Sequence, residues 1–330
     1  MTSKERVKRA IEFNNPDRLP MEFSACGVND SASIKWRQIG TGDKTQRQTV
    51  DEWGCVWGRS EVVNMGLVTG HPLDDWGKLK NYPFPDPDDP VFWVGLEEAG
   101  RELDREKYIK TSIFMVLFER LHSLRGFENC LLDLYVERDK IENLADRIVE
   151  FDIGIIRNTS RLFPGLIDGI SFTDDWGTEQ AAFISTELFD EIFKPRYKRI
   201  FDACHEAGWH VWLHSCGQME ELIPSFIETG VDVFNLLQPR VFGIEKFGRR
   251  FAGKTCFSTC ADIQHTLPFK SGPEIEEEVK LLLDHWSTSK GGYIVSDYGD
   301  PLAIGVTEES KRIMFNAYNR YDPYLNAASS

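Results

Sequence analysis

The chain has 330 residues, 41% of them hydrophobic and 28% charged, which excludes an intrinsically disordered chain and leaves room for a large buried core. A formal net charge of −15 and a pI near 5.0 argue against a broad nucleic-acid or anionic-membrane surface, because neither polyanion is drawn to a net-acidic protein. Seven cysteines are scattered through a chain too large to need disulfide staples, so most are expected to be buried thiols and a few to be ligands or nucleophiles.

The opening MTSKERVKRAIEFNNPDRLP carries no apolar stretch of signal-peptide length, and no run reaches the roughly 18 apolar residues of a membrane helix. The expected address is cytoplasmic. Residues 3–14 read as a first helix, stopped by NNPDRLP, since proline cannot continue a helix and restricts the residue before it. MEFSACG (21–27) reads as a short strand ending in glycine. Residues 51–90, rich in Trp, Gly and Val and followed by the turn-rich NYPFPDPDDP, predict a small strand-and-loop insertion rather than a separate domain. Residues 1–330 are accordingly expected to form one domain. A helix is expected over 91–106.

From residue 108 a strand–helix rhythm sets in. YIKTSIFMVL predicts a strand and LADRIVEFDIGIIRNTSRLF a long helix. DGISFTDDWG is a strand with an acidic, aromatic end. STELFDEIFKPRYKRIFDACHEAG is helical, with Ser185 placed to cap its start and Gly208 to end it. Four further units follow: HVWLHSCG with MEELIPSFIETG, VDVFNLLQP with a short helix, KTCFSTCAD with GPEIEEEVKLLLDHWST, and GGYIVSDYG with TEESKRIMFNAYNRY. Short apolar runs alternating with amphipathic helices predict a parallel sheet covered by helices. Seven strands can be counted and an eighth is expected, which favours an α/β fold of the (β/α)8 TIM-barrel type. No Gly-rich dinucleotide turn follows an early strand, which weighs against an open doubly wound sheet.

Chemistry in such a barrel collects at the carboxyl ends of the strands. Those ends carry Glu22, Ser24 and Cys26; Asp174, Asp175 and Trp176; His214 and Cys216; Asn235 and Gln238; Cys260 and Asp262; and Asp297 and Tyr298. His214 and Cys216 stand two apart, the period of a strand, so both point to one side. Imidazole nitrogen and thiolate sulfur are preferred zinc ligands, and a catalytic zinc takes about three protein ligands with one position open. A packed strand end could show the same spacing. Cys260 and Asp297 are the candidates for the third ligand. Of the adjacent carboxylates at 174 and 175, one is expected to work and the other to cap or orient. Asp175 is the expected general base and Trp176 an aromatic wall, with Asn235 and Gln238 as further substrate contacts. Glu22 and the acid Tyr298 complete the catalytic candidates. Cys130, Cys204 and Cys256 read as packing residues, and His71, His122, His205 and His285 as surface or structural.

Several blocks taken together resemble the uroporphyrinogen decarboxylase-like superfamily, and more closely its corrinoid-dependent methyltransferase branch. They are MTSKERVKRAIEFNNPDRLP, DEWGCVW, DDWGKLKNYPFPDPDD, RGFENCLLDLY, the run from DDWGTEQ to CHEAG (174–208), LHSCGQMEELIPSFIETGVDVFNLLQP and DIQHTLPF, spread over nearly the whole chain. The resemblance implies a barrel with zinc held by the His214–Cys216 pair and a further ligand. It also implies transfer of a methyl group from a small donor, such as an aromatic methyl ether, to a corrinoid. No cobalamin-binding Asp-x-His-x-x-Gly segment is present, so the cobalamin is expected on a partner protein. The decarboxylases of the superfamily carry an arginine-rich segment after the first strand, where this chain reads MEFSACG. That departure weighs against uroporphyrinogen decarboxylation, the alternative activity. Transfer in the reverse sense, from methylcobalamin to a thiol or tetrahydrofolate, is the other alternative.

Overall fold

The computed structural model describes residues 1–38, 46–59, 66–299 and 301–327. Seven strands form one parallel sheet in the spatial order Ser31–Ser33, Tyr108–Ile113, Gly169–Thr173, His210–His214, Val233–Asn235, Cys256–Thr259 and Tyr293–Val295. Each strand pairs with its predecessor in the sheet. The two edges are tied through the segment around Met21. Met21 bridges Val295 in parallel, Val295 N–H donates to the Pro20 carbonyl at 2.9 Å, and Asp30 N–H donates to the Met21 carbonyl at 2.8 Å. The sheet therefore curls towards closure as a TIM-type α/β barrel, with the segment around Met21 as the eighth stave.

Strand alternation sorts the side chains. Val211 and Leu213 are fully buried on the outer face, while Trp212 and His214 point inward and line the axial cavity. Barrel interiors are usually filled by layers of bulky branched residues. Here Ser112, Ser171, Ser258 and Ser296 occupy part of that interior, and a cavity of about 630 Å³ remains. Outside the sheet, Phe118, Trp176, Phe189, Phe193 and Tyr197 are fully buried in one aromatic cluster. Truncating any one of these rings to alanine would cost about 3–5 kcal/mol.

Several elements differ from the expectation. The first helix ends at Ile11, and Phe13 and Asn15 adopt left-handed backbone before proline. The helix expected over 91–106 is a 3-10 turn, Pro90–Trp93, followed by a helix over Leu96–Glu102. The helical stretch after residue 185 contains a π segment over Phe189–Phe193, which rotates the next turns so that Tyr197 faces the aromatic cluster. A three-stranded antiparallel sheet, Gln48–Val50, Val56–Gly58 and Leu67–Gly70, begins just ahead of the insertion expected from residue 51. Its anchor is Asp51, whose carboxylate accepts from Trp53 N, Cys55 N and Trp57 Nε1 and pairs with Arg120 at 2.7 Å. Trp53 and Trp57 are thus packed rather than presented to a ligand. Among the described residues no helix is long and apolar enough to cross a membrane.

Candidate metal centre

Two strand ends meet through two glycines. Gly217 has φ 78°, and a Cβ there would lie 2.0 Å from the Gly177 carbonyl oxygen; a Cβ on Gly177 would lie 2.6 Å from the Gln218 oxygen. Only residues without side chains allow this backbone approach. The contact is stitched by Gln218 N–H to the Thr178 carbonyl (2.6 Å), Asp174 N–H to the His214 carbonyl (3.0 Å), Trp176 N–H to Ser215 Oγ (3.1 Å) and Cys216 N–H to Asp175 Oδ1 (2.7 Å). Gln238 holds the turn from the far side, its Oε1 accepting from Gly217 N–H at 2.7 Å.

This stitching gathers Asp175, His214 and Cys216, whose ligand atoms all lie within 4.8 Å of one another, the one such group among the described residues. Cys216 Sγ is 3.5 Å from His214 Nε2, and Asp175 Oδ1 is 4.0 Å from the same nitrogen. Tetrahedral zinc with its usual bond lengths would separate nitrogen and sulfur ligands by about 3.6 Å and nitrogen and oxygen ligands by about 3.4 Å. The nitrogen–sulfur pair meets that span as it stands, and the carboxylate needs a shift of about half an ångström. One nitrogen, one sulfur and one oxygen donor, each half-buried, with His214 on the cavity wall, fit a zinc-like divalent ion. Burial and the neighbouring Asp175 carboxylate push the Cys216 thiol well above its ordinary value. Both effects penalise the thiolate in the absence of a cation, and a bound dication would oppose them.

The two adjacent carboxylates face different ways. Asp174 is fully buried and accepts from the backbone N–H groups of Leu117, Phe118 and Glu119, capping the helix Phe118–Arg125, and Tyr197 Oη donates to it as well. The helix it caps follows the preceding strand, not its own. Asp175 faces the other way, into the triad, where a ligand role suits it better than that of a free base.

Other expected site residues stand elsewhere. Trp176 is fully buried, stacked on Phe118 with ring centroids 4.4 Å apart, and its Nε1 donates to Tyr197 Oη; it forms no cavity wall. Gln238 is buried and spent on the Gly217 turn. Cys260 is fully buried in the core and lies outside the ligand group. Asp297 borders the cavity, yet its Oδ2 pairs with Lys311 at 2.7 Å and it too lies outside the group. Tyr298 is half-buried against the core next to Asp297. Glu22 does line the cavity, paired with Lys110 at 2.5 Å, and Lys110 Nζ in turn sits 4.1 Å from the Trp212 ring centroid. Asn235 lines the cavity as well, its Oδ1 lying 2.8 Å from His214 Nδ1.

One residue was not foreseen. Glu119 lies in the first turn of its helix with Oε2 buried and without a hydrogen-bond partner. Burial, then Asp175 and Asp174, push its carboxyl well above the usual carboxylate range. The string LFERLHS reads only as helix, and nothing in it signals a third acid behind the triad.

The comparisons with known proteins agree with this architecture. The family model described as uroporphyrinogen decarboxylase (URO-D) matches residues 113–321. No curated protein matches the chain in sequence. Among solved structures, a methyltransferase from Methanosarcina mazei superposes with a TM-score of 0.72 at 13% identity, covering 97% of this chain and 99% of that one. A mannonate dehydratase from Streptococcus suis serotype2 gives a TM-score of 0.36 at 14% identity, over 71% of this chain and 92% of that one.

Proposed function

The chain belongs to the uroporphyrinogen decarboxylase family, and from that premise we propose that it is a zinc-dependent methyltransferase delivering a methyl group from a small donor to a corrinoid on a separate protein. The observation that carries this reading is the Asp175–His214–Cys216 triad, with His214 also on the cavity wall. The barrel shared with the M. mazei methyltransferase is consistent with it. Among the described residues lining the cavity none is an arginine. The two wall carboxylates, Glu22 and Asp297, are already paired with Lys110 and Lys311, and without a guanidinium those lining residues offer a tetrapyrrole polycarboxylate no bidentate grip, which disfavours decarboxylation of that substrate.

Asp175, His214 and Cys216 would hold the ion. When bound, Zn²⁺ supplies a Lewis acid that stabilises negative charge developing on the donor's leaving oxygen. The donor occupies the axial cavity, where Trp36, Phe114 and Trp212 offer apolar faces suited to an aromatic methyl ether. Transfer breaks the methyl C–O bond and forms a C–Co bond with the electron pair of Co(I), while the oxygen leaves with both electrons and is then protonated. Glu22 and Lys110 form an ion pair on the same cavity wall, and Tyr298, next in sequence to the wall residue Asp297, would be the acid that protonates the departing oxygen.

The test uses zinc-loaded protein with a reduced corrinoid protein and a panel of methyl ethers, following loss of the Co(I) absorption. Methyl–Co(III) formation by wild type and its loss in Cys216→Ala support the reading. Methyl transfer from methylcobalamin to a thiol, with no ether turnover, would reverse the direction. Release of CO2 from uroporphyrinogen would replace the reading altogether.

A further inference from the structure

His214, Asn235 and Ser258 form one row across three neighbouring strands, since His214 is in register with Asn235 and Asn235 with Ser258. Ser296 continues the row from just beyond the last strand, its N–H donating to the Thr259 carbonyl. The polar atoms of this row are joined in sequence. Asn235 Nδ2 lies 2.9 Å from the Ser258 carbonyl oxygen, 3.2 Å from Ser258 Oγ and 3.1 Å from Ser296 Oγ, and the two serine hydroxyls are 2.5 Å apart. Ser258 and Ser296 are both almost fully buried.

The row has a direction. A backbone carbonyl can only accept, so the Asn235 atom facing the Ser258 carbonyl must be the NH2 nitrogen. The amide is therefore unable to flip, and its oxygen must face His214. At 2.8 Å from that oxygen, His214 Nδ1 must carry a hydrogen. In a neutral imidazole the lone pair then resides on Nε2, the nitrogen 3.5 Å from Cys216 Sγ.

We infer that Asn235, backed by Ser258 and Ser296, is the positioning residue of the metal centre: it locks His214 in the Nδ1–H tautomer with Nε2 aimed at the ion. The inference rests on the metal reading above but concerns different atoms. Outer partners of metal-bound histidines typically change metal affinity about 10–100-fold when removed. The Ser258 carbonyl denies the amide its other orientation, while the two hydroxyls, able to donate or accept, only fill the remaining contacts of Nδ2.

The experiment has two readouts. Selective 15N-histidine labelling of the metal-free protein reads the His214 tautomer directly. Wild type should show protonated Nδ1, and Asn235→Leu a mixture of tautomers. In parallel, Co²⁺ affinity is measured by competition with a chromophoric chelator, together with the sulfur-to-cobalt charge-transfer band. Asn235→Leu should weaken Co²⁺ binding about 10–100-fold. Asn235→Asp keeps an acceptor for Nδ1–H, its second oxygen meeting the Ser258 carbonyl as a protonated O–H donor, and should stay within a few-fold of wild type. The Ser258→Ala/Ser296→Ala double variant keeps the Ser258 carbonyl that orients the amide and should likewise stay within a few-fold of wild type. Wild-type binding retained in full by Asn235→Leu, or a wild-type His214 carrying its proton on Nε2, would overturn the inference. A wild type that binds no Co²⁺ but shows the Nδ1–H tautomer would overturn the metal reading and leave the tautomer lock standing. If Asn235→Leu fails to fold, Asn235→Asp and the serine pair still decide it, since loss of the Nδ1–H tautomer in Asn235→Asp would sink it.

Discussion

Two places on the barrel rim carry the same functional groups and use them differently. One is the junction of the Gly169–Thr173 and His210–His214 strand ends, with Asp175, His214 and Cys216. The other is the pair of ends after Cys256–Thr259 and Tyr293–Val295, with Cys260 and Asp297. Both offer a thiol and a carboxylate just past a strand. In the first, Gly177 and Gly217 let two turns touch backbone to backbone, and the ligand atoms converge. In the second, the thiol enters the core and the carboxylate is held by Lys311 from the helix Glu308–Tyr321. Strand-end position brings a group to the rim; the turn that follows decides whether it meets anything there.

The sharpest way to break this comparison is Gly217→Ala. A Cβ at φ 78° would lie 2.0 Å from the Gly177 carbonyl oxygen, a backbone atom that cannot swing aside. We expect a stability loss of at least about 2 kcal/mol in denaturant titrations, and loss of metal binding even where the chain folds. A soluble variant with wild-type metal affinity would show that the two turns need not touch.

Asp174→Ala comes next. It removes the acceptor for three backbone N–H groups, and each buried donor left unpaired costs about 1–3 kcal/mol, so we expect a loss of about 3 kcal/mol or more. Asp175→Ala, one residue on, leaves only the part-buried Cys216 N–H unpaired and should cost about 1 kcal/mol of stability while removing metal binding. The two variants separate the capping carboxylate from the ligand carboxylate.

At the second place on the rim, Asp297→Asn leaves Lys311 buried without its carboxylate partner. The expected cost is about 3 kcal/mol with metal affinity unchanged. The smallest effect concerns His205, whose pKa is raised chiefly by its hydrogen bond to Asp232. A raised folded-state value means that the stabilisation is complete below about pH 6.5, the unfolded value, and fades as pH rises through the higher folded value. Because the pair is partly exposed, comparing wild type with His205→Asn at low and high pH should reveal a difference of about 0.5 kcal/mol or less.

Much of the barrel was legible because its strands are short apolar runs between amphipathic helices. The Ser31–Ser33 strand was not, because Ser-Ala-Ser has no apolar signature and is recognised only by its pairing with Tyr108–Lys110. The His214–Cys216 proximity was expected from strand period, yet Cys216 lies two residues past the strand end, and the Gly217 turn held by Gln238 is what leaves Sγ 3.5 Å from Nε2. The joining of Asp175 to it was not, since a ligand role depends on how the 174–177 turn folds against its neighbour. Trp176 was misread for a related reason: past the strand end the alternation no longer holds, and the ring turns outward to stack on Phe118. Cys260 was misread because a residue beyond the last paired position has no assigned side. The division of residues 118–136 into two helices, Phe118–Arg125 and Phe127–Val136, was not legible, because LFERLHSLRGFENC offers no clear break until Gly126 is known to have φ 85°.

The account turns on which side chains hold the ion, and zinc content per chain after dialysis measures that directly. It predicts about one zinc in wild type, in Cys260→Ala and in Asp297→Asn, and almost none in His214→Ala, Cys216→Ala or Asp175→Ala. Full zinc in Asp175→Ala together with its loss in Cys260→Ala or Asp297→Asn would contradict it.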